Sequence, residues 1–275
     1  QRSTDSEESI MATAVAKKKS AELSTDVMDD MFADGGEGAA FDASELMIPY
    51  VRLAQQMSPQ INKKDAKYIE GLSSGDMYNT LTNAVYDGEE GLNVVPCYVT
   101  TKYAEFVTRE NGGGFVGEID PSDPVINQTT KDGTMDILPS GNQLVKADEY
   151  YCLIVDDEGN WEPAVVDFKV TAMKVSKRWK TQIAMNKAKN PKTGQMQILP
   201  IFSTVWKLTT VDETNKRNET YSNYSVSKVG VLEDRNLYQE ARTFRQSIAA
   251  GEVKASEGQQ GEKPAEPVGK DEIPF

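Results

Sequence analysis

The sequence predicts a mainly β fold with inserted helices, an α+β class built around one small, strongly bent barrel. Three observations predict it. From Ile48 onward, runs rich in Val, Tyr, Thr and Ile alternate with Gly/Pro/Asn/Asp clusters, the pattern of strands and turns. Only two later segments carry an apolar period of one helical turn, too few for a βαβ succession. Both chain flanks are small, acidic or Gly/Pro-rich and lack the apolar residues to build a core.

Residues 1–45 read as a leader and an acidic extension. Met11, followed by ATAVAKKK, reads as the natural start, and Gln1–Ile10 as a leader outside the fold. The extension, with its ADGGEGAAFDAS, reads as disordered, with a short helix around LSTDVMDDMF. A domain over residues 46–250 follows. Its strand-forming runs are IPYVRLAQQM, MYNTLT, LNVVPCYVTTKYAEFV, LVKADEYYCLIV and EPAVVDF. The turn signals between them are YDGEEG, ENGGG, DPSDP, LPSGN and DDEGN. Alternation across Tyr98–Glu105 predicts one long strand reaching Phe106, and Pro96 predicts an edge position or a bulge near its start.

A helix is expected over KVTAMKVSKRWKTQIAMNKAK, where Ala172, Val175, Trp179 and Ile183 recur about one turn apart and NPKTG ends the pattern. Two strands follow, ILPIFSTVWKLTTV and ETYSNYSVSKVG. A last helix aligns Leu237, Ala241, Phe244 and Ile248 and stops at Gly251. Several strands, a helix, two strands and a helix suit a five-stranded OB-like barrel with an inserted helix. Residues 251–268, GEVKASEGQQGEKPAEPV, read as a flexible tether, and 269–275 as an acidic tip.

Composition removes several classes of function. The chain has no histidine, so Ser-His and Cys-His nucleophiles are excluded. Cys97 and Cys152 lie in β-like runs without CxxC spacing and read as buried free thiols. GGGF at 112–115 is not followed by GKS or GKT, so it is no phosphate-binding loop. No cofactor and no metal are expected. No apolar run reaches the ~18 residues that span a bilayer, and no secretory signal is read.

Charge is segregated. The formal net charge is −13, yet residues 168–211 hold nine bases and no acid, while residues 20–51 hold eight acids and no base. Forty-four residues without a carboxylate, in so acidic a chain, predict an anion-binding surface.

The chain ends in Asp271-Glu272-Ile273-Pro274-Phe275 behind a polar tether. This end closely resembles the acidic tip of bacterial single-stranded-DNA-binding proteins. The stretches at 57–96, 112–126 and 176–190 make the body resemble phage-encoded proteins of the same role, over roughly residues 48–230. That resemblance implies an OB fold, single-stranded DNA as partner, and work in replication, recombination or repair in the cytoplasm of an infected bacterium. It also implies that Asp271–Phe275 recruit partner proteins. The acidic N-terminal extension is a departure from the pattern. A homo-oligomer is compatible with the sequence.

Single strands are held by cations along phosphates and by rings stacked on bases. The candidate rings are Tyr50, Tyr98, Tyr103, Phe106, Trp179 and Trp206, with Tyr221 and Tyr224 as further ones. The candidate cations are Arg52, Lys102, Lys174, Lys177, Arg178, Lys180 and Lys207, with Lys187, Lys189 and Lys192 on a mobile loop. Trp179, on an amphipathic helix, also reads as core, and only one of Trp206 and Lys207 can face a groove directly. A two-metal nuclease, a phage strand-annealing recombinase and a virion structural protein are the rival readings.

Overall fold

The computed structural model describes residues 30–31, 33–34, 47–215 and 218–255. The chain divides into two units, residues 1–42 and 43–275. In the first, Asp30, Met31 and Ala33 are helical and the Asp34 amide donates to the Asp30 carbonyl at 3.0 Å. Most of the acidic extension, most of the tether and the whole tip lie outside the described residues.

The second unit is mainly β with two helices. Its strands are Met47–Ile48 (β1), Tyr50–Leu53 (β2), Met77–Asn79 (β3), Val85–Tyr86 (β4), Leu92–Phe106 (β5), Phe115–Ile119 (β6), Thr130–Asp132 (β7) and Met135–Ile137 (β8). They continue with Gln143–Val155 (β9), Trp161–Lys169 (β10), Lys187–Lys189 (β11), Met196–Ile198 (β12), Thr204–Thr214 (β13), Thr220–Val231 (β14) and Lys254–Ala255 (β15). The helices are Met173–Ala184 (α1) and Arg235–Ala250 (α2).

Eleven of these strands form one curled, open sheet. Its order is β14-β13-β5-β9-β10-β2-β3-β4, with β6 beside β5 and β7–β8 beside β9. The neighbours are antiparallel except β10 and β2. Among the described residues no backbone ladder joins β14 to β2. The Gln55 side chain crosses that seam. The Gln55 amide donates to the Ser222 carbonyl at 2.8 Å and accepts from the Ser222 N–H at 3.1 Å. It makes the two bonds a neighbouring backbone would make.

The long strand runs from Leu92 as expected, and the bulge falls between Pro96 and Tyr98. Pro96 lies beyond the last β13 pairing, which ends at Val94, so its missing N–H interrupts no bond on that side.

The inner face of the curl holds the main core. Trp179 of α1 stacks on Tyr150 with centroids 4.2 Å apart, and Trp206 meets it edge-on at 6.0 Å. Ala172, Val175, Trp179 and Ile183, the stripe read from the sequence, all pack into this cluster. The outer face of β5 and β9 is half covered by α2, which sets Leu237 and Ala241 on Val95, Cys97 and Leu153. Asp234 caps α2 by accepting from the Asn236 and Leu237 amides, and Gly251 ends it with φ 75°. Cys97 and Cys152 are free and buried, and burial pushes the Cys97 thiol up to about 12.

One expectation needs correction. The helix stops at Ala184, not at Lys189. Lys187–Lys189 instead pair with Met196–Ile198 in a two-stranded ribbon. The Asn190 and Gly194 amides close its turn, and Gly194 sits at φ 71°. The expected mobile loop is therefore a hairpin with a fixed register.

Candidate functional site

Two surfaces carry the candidate residues. The first is the outer face of the sheet beyond α2. Alternation along β5 puts Tyr98, Lys102 and Phe106 on this face and Tyr103 on the other. Register brings Tyr50 beside Val165 and Phe106 opposite both Gln143 and Phe115. Arg52, two residues after Tyr50, shares its side of β2. A cavity of about 180 Å³ opens here. Phe106, Phe115, Ala104 and Val145 give it apolar walls, and Tyr50, Lys102, Glu118, Glu149 and Lys169 give it polar ones. Phe106 and Phe115 meet edge to face at 5.5 Å. Tyr98 is drawn into the packing under α2, edge-on to Tyr151.

This face is charge-balanced. The Lys102 Nζ lies 3.1 Å from Glu118 and 3.5 Å from Glu149, and Lys169 lies 2.6 Å from Asp167. The Arg52 guanidinium sits 4.9 Å above the Tyr50 ring. The Tyr50 hydroxyl donates to Glu149 Oε1 at 2.8 Å. Glu149 Oε2 has no hydrogen-bond partner among the described residues. Burial pushes the Glu149 carboxyl above its usual range, with Asp167 adding to the effect and Lys102 and Tyr50 opposing it. Burial alone would pull the Lys102 ammonium down, but Glu149 and Glu118 outweigh it and raise the group.

The second surface is α1 with its ribbon. Asp148 fixes the helix to the sheet by accepting from Thr101 at 2.7 Å, Ser176 at 2.6 Å and Lys180 at 2.7 Å. Lys174 is engaged as well, 2.7 Å from Glu213. Hydrogen bonds from Lys174 and Tyr221 hold the Glu213 carboxyl down at about 2. The other cations differ. Lys177, Arg178, Lys187, Lys189 and Lys192 are exposed, and among the described residues none has a carboxylate within ion-pair distance. In the ribbon, Lys187 lies opposite Ile198 and Lys189 opposite Met196, so cations and exposed apolar side chains share one side.

The family described as Pam3 phage gp34-like protein matches residues 16–254. The chain belongs to that family. It is a phage protein. No curated protein and no solved structure matches it. No helix among the described residues of this gp34-like chain is long and apolar enough to cross a membrane.

Several sequence-based site expectations for this gp34-like protein are corrected by the geometry. Trp179 and Trp206 are each 1% exposed in the core and offer no face to a base. Tyr103 lies on the opposite side of β5 from Lys102, with the Lys146 ammonium 5.9 Å from its ring. Tyr224 is buried against Phe168, and the Tyr221 hydroxyl is taken by Glu213. Lys207 lines a groove with Glu90, Asp156, Asp157 and Glu162, whose field repels phosphate. Asp271, Glu272, Ile273, Pro274 and Phe275 lie outside the described residues.

Sequence reasoning missed Phe115, Lys169 and Glu149. Phe115 follows a glycine run and reads as turn, while Glu149 sits in a strand whose alternation gave no sign of a charged face. It also missed Trp161, which is 41% exposed. Among the described residues no three carboxylates or thiols are grouped to hold a metal ion.

Proposed function

We propose that this phage protein is a non-enzymatic binder of single-stranded DNA, gripping it without regard to sequence during phage replication, recombination or repair. Five exposed cations on α1 and its ribbon, none neutralised by a carboxylate among the described residues, carry the reading. Lys102, Lys131 and Lys169 in the sheet, and Lys174 and Lys180 on α1, have acid partners. Lys63, Lys64, Lys67, Lys228, Arg242 and Arg245 are also exposed without one among the described residues, but the α1–ribbon group falls in the stretch 168–211 that holds no acid. Exposed cations without carboxylate partners are what a polyanion requires.

The strand order supports an OB-like barrel. β5, β9 and β10 make a meander, α1 follows, and the β13–β14 hairpin returns to lay β13 on the first strand. Numbered within that unit, the order is 5-4-1-2-3, with the Gln55 side chain at the seam. β2, β3 and β4 extend the third strand. In such barrels the ligand crosses the second and third strands between the 1–2 and 4–5 loops. Here those strands are β9 and β10, and the loops are residues 107–142 and 215–219. Lys102, Lys169, Phe106 and Phe115 lie on that face. Lys169 ends β10, and the chain passes directly from it to Lys174 and the helix. A strand held at the rings could follow this connection to the free cations.

The tip completes the proposal. Asp271–Phe275 recruit replication and recombination proteins and compete with DNA for the cations.

The test is anisotropy of labelled oligo-dT with the full chain. Five phosphate contacts give a slope of about −3.5 in log K against log salt, a loss of roughly a hundredfold between about 50 and 200 mM. No binding in dilute buffer overturns the reading and favours a virion structural role. Cleavage of the oligonucleotide with added Mg²⁺ would make the protein a nuclease instead. Deleting residues 269–275 should tighten binding at low salt and abolish capture of partner proteins; unchanged affinity removes the competition.

A further inference from the structure

The groove between α2 and the short 3-10 turn Ile201–Ser203 has no part in the single-strand grip. Pro200, Ile201, Phe202, Arg242, Arg245 and Gln246 line it, around a volume of about 460 Å³. Phe202 packs with Leu237 and Ala241 and meets the Tyr238 ring at 5.3 Å, so the core fixes this wall. Tyr238, Arg242 and Arg245 stand four and then three residues apart, on one side of the helix. Both arginines are exposed, and among the described residues neither has a carboxylate within ion-pair distance. Glu240, the only acid in α2, is not part of the lining.

An apolar wall beside two unneutralised guanidinium groups fits a peptide of the opposite make-up, with carboxylates next to large apolar side chains. The chain carries such a segment. Ala255, the last described residue, packs in one cluster with Phe244 and Ile248 of α2, so the tether begins beside this helix. In the twenty residues after Ala255 the only isoleucine and the only aromatic ring are Ile273 and Phe275, directly behind Asp271 and Glu272. Sixteen residues separate Ala255 from Asp271, a contour of up to about 55 Å, against a helix about 24 Å long.

We infer that this groove is a seat for the chain's own Asp271–Phe275, which sets its carboxylates on Arg242 and Arg245 and its apolar side chains on Ile201 and Phe202. The inference rests on the reading of that segment as a docking peptide, and not on DNA binding. The seat places a threshold on recruitment. A tethered segment meets its groove at roughly 1 mM, so a groove that binds at about 100 μM weakens a partner's apparent hold on the tip about tenfold. A tip seated here is also held off the α1–ribbon cations, which limits its competition with DNA.

The experiment uses the full-length chain and a labelled peptide of residues 269–275, read by anisotropy at low salt. A chain whose own tip is silenced by Ile273→Ser and Phe275→Ser should bind the peptide, and the wild type should bind it about tenfold more weakly because its groove is occupied. Adding Arg242→Ser and Arg245→Ser to the silenced chain should weaken the peptide by about tenfold or more. Both side chains are exposed, and an unchanged thermal melt shows that the fold is kept. Adding Lys187→Ser, Lys189→Ser and Lys192→Ser instead should change peptide binding by less than about twofold at this distance from the groove. No binding by the silenced chain, equal binding by silenced and wild-type chains, or binding that needs the lysines and not the arginines overturns the seat and leaves the single-strand reading standing. If replacing the arginines lowers the salt slope of oligo-dT binding and spares the peptide, the groove belongs to the DNA path and the seat falls. Failure of the wild type to bind oligo-dT, with the peptide still held by the silenced chain, overturns the single-strand reading and leaves the seat.

Discussion

Replacing Asp148 with asparagine tests whether α1, which carries two of the proposed phosphate contacts and leads to the other three, is held by one buried carboxylate. The Asp148 side chain is 3% exposed and takes three short hydrogen bonds. Asparagine with its oxygen at the Oδ1 position keeps the Thr101 and Lys180 contacts but removes the charge from the Lys180 bond, and it turns its NH₂ toward the Ser176 hydroxyl, which loses its acceptor. Bonds to charged groups contribute about 1.5–3 kcal/mol each. Two features reduce the cost. Lys180 is 38% exposed and can regain water, and the Ser176 hydroxyl keeps its 2.9 Å contact with Tyr150. The net loss should be about 2–3 kcal/mol, or roughly 4–12 °C in Tm for a domain of this size.

The pH dependence follows from the same contacts. Burial pushes the Asp148 carboxyl up, but Lys180, Ser176 and Thr101 outweigh it and hold the group below its ordinary range. A depressed carboxyl stabilises the fold above its unfolded value, about 3.9, and loses that contribution as pH falls through the folded value. Urea unfolding followed by circular dichroism should show the full gap between wild type and Asp148→Asn from neutral pH to about pH 5, narrowing below about pH 4. Glu213 titrates in both proteins and cancels. Equal stabilities at neutral pH, or a gap undiminished at about pH 2, would refute the reasoning.

Three further outcomes are expected. Lys187→Ser, Lys189→Ser and Lys192→Ser together should lower the salt slope of oligo-dT binding from about −3.5 to about −1.4, read by anisotropy titration; an unchanged slope places the strand elsewhere. Acrylamide should quench mainly Trp161, so Trp161→Phe should remove most of the quenchable emission, while saturating oligo-dT leaves the light from buried Trp179 and Trp206 nearly unaltered. Gly91→Ala should cost about 3 kcal/mol or more in a thermal melt. Gly91 sits at φ 68°, and a Cβ there would fall 2.3 Å from the Leu208 carbonyl oxygen.

What the sequence reveals here depends on the range of the interaction. The long strand to Phe106 and the bulge at Pro96 rest on alternation and a missing N–H, both local. The α1 stripe rests on spacing of one turn, and the structure packs all four of its residues. Its C-terminus was misplaced because Lys and Ala favour helix intrinsically, while the deciding term, pairing of Lys187–Lys189 with Met196–Ile198, lies across a turn. The charge state of the outer face was invisible for the same reason. Lys102 is neutralised by Glu118 and Glu149, which no local pattern connects to it. Trp179 and Trp206 show a different limit: an indole serves equally as core filler and as a stacking platform, and only the packing around it decides.

Gln55 leaves a last consequence. Every residue but proline carries an amide, so a rung of backbone pairing survives almost any point change. A clasp made from one side chain does not. At this position a single codon sets two of the bonds that fasten the curl, beside those from Thr210 to Gly75 and Gly88, and mutation there loosens the seam while leaving every ladder around it intact.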